Sequence, residues 1–168
     1  MRCFIDIEPP QNVKDQLAQV QEELRKEFKG KFERPENMHI TLKFLGEIEQ
    51  VEDIIKKLQT IRFKPFTIRL THVGHFRHRC LWMGVEGVEH LKEAVDNVLP
   101  QFKDDHIAFN PHITLLRMGY TTRIEEKLQK CGVDVLNTSF ECTAFNLKQS
   151  TLTSQGAIHN IVKTFHAH

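Results

Sequence analysis

The chain has 168 residues, enough for one domain or two small lobes sharing a core, and its 40% hydrophobic and 27% charged content is that of an ordinary globular protein. A formal charge of +1 does not announce a nucleic-acid binder, and four scattered cysteines without a Cys-x-x-Cys pair argue against a zinc ribbon and do not suggest a dense disulfide scaffold. No apolar run spans a bilayer and Met1–Asp6 does not open like a signal peptide, so a reduced, cytoplasmic setting without a membrane is expected.

Arg2 to Ile7 alternates as a first strand ended by Pro9 and Pro10. Val13, Leu17, Val20, Leu24 and Phe28 then recur at helical steps from Gln11, with Gly30 as the stop. Met38 to Leu45 reads as a strand closed by Gly46, and Glu49 to Ile61 as a second amphipathic helix. Phe66 to Leu70 and Cys80 to Val85 read as strands flanking a loop or ragged hairpin at Gly74–Arg79. Val88, Leu91, Val95 and Val98 predict a third helix broken by Pro100. Pro111 to Met118 is the next strand, Arg123 to Cys131 a short helix capped by Gly132. Phe140–Phe145 and Ile158–Phe165 complete the pattern, with a turn near Gly156 making an antiparallel hairpin. Short links between neighbouring strands favour an α+β fold of mostly antiparallel sheet, and no Gly-rich nucleotide loop is present.

Two stretches in this order nearly repeat: Asn37-Met38-His39-Ile40-Thr41-Leu42 and Asn110-Pro111-His112-Ile113-Thr114-Leu115. On a strand, side chains alternate faces, so each His shares a face with its Thr while the apolar residues take the other. A single His-x-Thr would be an ordinary structural histidine; two copies in matching contexts point to a paired site. The histidines are 112 − 39 = 73 residues apart and each motif strand precedes a helix, which predicts two pseudo-symmetric lobes around a groove. Two imidazoles titrating near neutrality supply a base and an acid, and threonine hydroxyls donate to phosphate oxygens. Metal binding by His39 and His112, helped by His72, His75 or His78, is the competing use; no carboxylate lies within either motif, so no metal or cofactor is expected. Thr41 or Thr114 as nucleophile has poor geometry, since each lies along the strand from its His.

Between Ile54 and Val85 the chain has no acid but carries Lys56, Lys57, Arg62, Lys64, Arg69, Arg77 and Arg79. This is either a solvated face balanced elsewhere or a patch for a polyanion. Phe76, beside Arg77 and Arg79, either stacks on a terminal base or packs in the core like most of the twelve Phe. Strict alternation sets Arg117 on the face opposite His112, from which it reaches a phosphate only if the strand bends.

The two His-Ile-Thr-Leu stretches resemble the paired His-x-Thr-x signatures of the two-histidine (2H) phosphoesterase superfamily, nearest the RNA 2′,3′-cyclic phosphodiesterase group, historically called 2′-5′ RNA ligases. Arg2–Ile7 with Pro9, His39–Gly46 with its Phe-Leu-Gly tail, Gly74-His75-Phe76, Leu81–Val85 and His112–Arg117 carry the resemblance across the chain. It implies a single domain over 1–168, bilobal, with helices outside and a central cleft. It further implies metal-independent hydrolysis of RNA 2′,3′-cyclic phosphate ends, tRNA fragments among them, to 2′-phosphates by a monomer. By that match His39 is the proton donor, His112 the proton acceptor, and Thr41 and Thr114 the phosphate ligands. Alternatives are 2′-5′ ligation or 2′-5′ oligonucleotide cleavage at the same site, or a non-catalytic module that binds RNA phosphate ends.

Overall fold

A computed structural model describes residues 1–104, 108–133 and 136–168. The elements run β1 (Arg2–Ile7), α1 (Gln11–Leu24), β2 (Lys31–Phe32), a 3-10 turn (Pro35–Asn37), β3 (Ile40–Glu47), α2 (Val51–Leu58), β4 (Phe66–Phe76) and β5 (Cys80–Glu86). They continue with α3 (Glu89–Val98), β6 (His112–Arg117), α4 (Ile124–Cys131), β7 (Ser139–Cys142), β8 (Ala144–Thr153) and β9 (Gly156–His166). The described strands join one antiparallel sheet in the order β7-β4-β5-β6-β3-β1-β8-β9, with β2 added on β6.

The order divides into two four-stranded halves, β9-β8-β1-β3 and β6-β5-β4-β7, which meet where Ile40 pairs with Ile113. The motif strands are therefore neighbours at the junction, as the repeat predicts. Ile40, Leu42, Ile113 and Leu115 are all at most 2% exposed. At about 1.5–3 kcal/mol per buried side chain, this apolar row fixes which face the intervening His and Thr must take. The helices lie outside: α3 against β3 and α2, α1 against β6 and α4. Gln21 of α1 is buried and its amide donates to the carbonyls of Glu33 (2.8 Å) and Leu115 (2.9 Å), binding the helix to the second motif strand. Among the described residues no helix is long and apolar enough to cross a membrane.

Three local expectations are corrected. α1 and α2 end at Leu24 and Leu58, earlier than their apolar stripes, because the last stripe residues are held by turns such as Ile61 N–H to Leu58 O (3.1 Å). Phe140–Phe145 is not one strand: Thr143 interrupts it, and β7 and β8 pair in opposite halves of the sheet. The Gly74–Arg79 segment is a tight hairpin, with Gly74, His75 and Phe76 inside β4 and Arg77 and His78 in the left-handed region at φ 52° and 58°. Gly132 does cap α4 in that region, at φ 66°.

Candidate active site

His112 opens β6 and His39 stands one residue before β3, so both imidazoles project from the strand starts at the junction of the halves. Each ring is anchored in the same way. His39 Nδ1 lies 2.6 Å from the carbonyl of Asn37, and His112 Nδ1 lies 2.7 Å from the carbonyl of Asn110. A carbonyl only accepts, so each Nδ1 carries its hydrogen and each Nε2 is left for chemistry. Thr41 and Thr114 are half-buried on the same face, and the Thr114 hydroxyl lies against the Cys80 thiol.

Burial holds both imidazoles below the ordinary histidine pKa. For His39 the nearby Lys148 ammonium and His112 add to that depression, while the Asn37 carbonyl and the Glu33 carboxylate oppose it. For His112 the Arg117 charge adds to burial and the Asn110 carbonyl opposes it.

Arg117 returns to the cleft face for a reason that alternation cannot show. Trp82 pairs with Thr114 but Leu81 with Leu116, so Leu115 is an extra residue in β6. The first motif has the same defect at the same offset: Asp6 pairs with Thr41 and Ile5 with Lys43, leaving Leu42 extra. Each bulge follows the threonine directly, and each turns the residue five beyond the histidine toward the cleft. In β6 that residue is Arg117; in β3 it is Phe44, 73% exposed and absent from the residues suggested by the sequence.

Each histidine is flanked by two further rings. His39 lies 5.1 Å from Phe4 and 5.4 Å from His159, centroid to centroid. His112 lies 4.9 Å from Phe76 and 5.9 Å from Trp82. Phe76 thus sits at the site wall, and a ring packed on His112 does not exclude a ring facing a ligand. Trp82 needs Gly74 beneath it: a Cβ there would stand 2.6 Å from Cζ2 and 2.8 Å from Cζ3 of the indole. His159 comes from β9, with Nδ1 buried and unpartnered among the described residues. No local motif announces it.

The acid-free segment does not assemble as one patch. Lys56 and Lys57 lie on α2, and Arg69 pairs with Glu86 at the far end of β4. Arg77 and Arg79 remain exposed at the β4–β5 turn on the His112 side, with Arg79 5.8 Å from the Tyr120 ring centre. His72, His75 and His78 belong to that half too. His75 approaches Glu125 at 3.8 Å, and among the described residues no three metal-ligating side chains converge.

Residues 7–82 match the model of the LigT-like phosphoesterase family. The RNA 2′,3′-cyclic phosphodiesterase of Methanocaldococcus jannaschii is 31% identical, over 97% of this chain and 99% of its own. That of Aquifex aeolicus is 31% identical, over 99% and 97%. Among solved structures, a Thermus thermophilus protein superposes with a TM-score of 0.84 at 24% identity, covering 99% of this chain and 97% of that one. Escherichia coli LigT, solved with 3′-AMP, superposes at 0.83 with the same identity and coverage.

Proposed function

Because this chain belongs to the LigT-like phosphoesterase family, we propose that it hydrolyses 2′,3′-cyclic phosphates at RNA ends, leaving a 2′-phosphate, with two histidines and two threonines and no metal. The observation that carries this is the matched anchoring of His39 and His112 on adjacent strands, each with Nδ1–H committed to its own backbone and Nε2 free.

His112 Nε2 takes a proton from water as the water oxygen bonds to phosphorus. The P–O3′ bond breaks, and His39 Nε2–H gives its proton to the departing O3′. Thr41 and Thr114 hydroxyls donate to the non-bridging oxygens, where charge grows, and Arg117 adds a cation on the same face. A depressed pKa suits His112, which must begin unprotonated. His39 must begin protonated, and the bound phosphate's negative charge favours that form against burial and Lys148. Which histidine plays which part follows the family pattern, since the two sites are built alike.

An RNA oligonucleotide with a 2′,3′-cyclic phosphate end, incubated with the protein in excess EDTA, tests the proposal. The expected product is the 2′-phosphate at the rate seen without chelator. Loss of activity in EDTA, or a 3′-phosphate product, contradicts it.

A further inference from the structure

We propose that the RNA strand leading to the cyclic end leaves the cleft past His159 and across the β8–β9 turn, where Lys31 and Arg34 hold the phosphate linking the terminal nucleotide to the one before it. The inference rests on the proposed function and on its polarity. If His39 protonates O3′, the terminal ribose lies on the His39 side of phosphorus. The upstream chain then departs over the first half of the sheet, which there presents Phe4, Phe44 and His159.

Two cations converge on that route. Lys31 of β2 is in register with Arg117 of β6, which places both on the cleft face. Lys31 and Arg34 both reach the β8–β9 turn: a Cβ on Gly156 would lie 2.9 Å from Lys31 Nζ and 3.8 Å from Arg34 Nη2. Gly156 has φ +115°, so the turn that leaves room for them is also one that favours glycine. The cations are tied to the chemistry through one residue. Arg34 and Asn37 both donate to the Ala157 carbonyl, at 3.3 and 3.2 Å, and the Asn37 carbonyl is the group that anchors His39.

Among the described residues neither cation is held in a close ion pair. Among the described residues Lys31 has no acidic partner, and Arg34 meets Glu36 only at 3.9 Å. Glu33, between them in sequence, accepts from the backbone N–H of Arg34 (3.2 Å) rather than from its guanidinium. Two like charges gathered on one turn repel, and a backbone phosphate relieves that repulsion while releasing counterions. Arg77 and Arg79 lie on the His112 side, where the attacking water enters, and so are off the path of the upstream strand.

The test compares two substrates, cytidine 2′,3′-cyclic monophosphate and an RNA hexamer with a 2′,3′-cyclic end. In the Lys31→Ala/Arg34→Ala double variant, kcat/KM on the hexamer is expected to fall about tenfold at low salt. The slope of log kcat/KM against log salt should flatten by about one. Activity on the mononucleotide should be unchanged, which also shows that the fold is intact. Arg77→Ala/Arg79→Ala should alter neither ratio. Equal loss on both substrates, no loss on the hexamer, or a hexamer-specific loss in the Arg77/Arg79 variant would overturn the path. Failure of the unmodified protein on both substrates would instead overturn the proposed function.

Discussion

Replacing His112 by alanine is expected to lower kcat on a cyclic-ended RNA about 10²–10⁴-fold, with KM little changed, and replacing His39 should cost a loss in the same range. Under the proposed function the threonines and Arg117 would still hold the phosphate in both variants, so the effect should fall on proton transfer rather than on association. If the histidines act on one transition state, as proposed, the double variant should lose much less than the product of the two single losses. The pH profiles should separate them. The unmodified protein should show a bell, falling at low pH as the base protonates and at high pH as the acid deprotonates. His112→Ala should lose the acid limb and His39→Ala the alkaline limb. Burial depresses both groups in the free protein, so both limbs of the kcat/KM profile should lie to the acid side of those of exposed imidazoles.

The largest effect on stability is expected at Lys148→Met. Lys148 is 4% exposed and its ammonium lies 2.7 Å from Asp6 Oδ2, at ion-pair distance rather than in a well-aligned hydrogen bond. Asp6 is fully buried, with Asn146 donating to Oδ1 (3.3 Å) and Thr164 donating in turn to Asn146 (2.8 Å). Removing the ammonium leaves a fully buried carboxylate without its cation, which should cost about 3–5 kcal/mol in urea unfolding at pH 7.5. The Asp6→Asn/Lys148→Met double variant should recover much of that. The pH dependence has a definite sign. Burial already raises the Asp6 carboxyl, and loss of Lys148 raises it further, so the folded variant binds a proton that its unfolded chain does not. The deficit of Lys148→Met should therefore shrink between pH 7.5 and 5.5. A loss below about 1 kcal/mol, or a deficit that grows on acidification, would contradict the account.

What the sequence made legible was set by local periodicity. The first strand, the faces taken by His39, Thr41, His112 and Thr114, the Gly132 cap and the final hairpin depend on neighbours a few residues apart. The family match across the chain then named the architecture. The bulges at Leu42 and Leu115 are properties of pairing with β1 and β5, not of the motifs, so alternation misplaced Arg117 and passed over Phe44. His159 and Lys148 reach the His39 side from the C-terminal strands, through a crossover that begins where Thr143 splits an apparently continuous run. The basic segment failed as a patch for a similar reason. Its residues are near in sequence and distributed over α2, the link at 61–65, the far end of β4 and the β4–β5 turn, whereas Lys31 and Arg34 meet through the turn at Gly156.

The central claim is that His39 and His112 divide the acid and base work on one phosphorus. It is tested most directly with a 2′,3′-cyclic substrate whose bridging 3′ oxygen is replaced by sulfur. A thiolate departs without needing a proton, because a thiol's pKa, about 8.5 for cysteine, lies far below that of an alcohol. His39→Ala should then recover most of the unmodified protein's rate, while His112→Ala should remain impaired. Equal impairment of both variants on the sulfur substrate, or recovery of His112→Ala alone, would contradict the assignment.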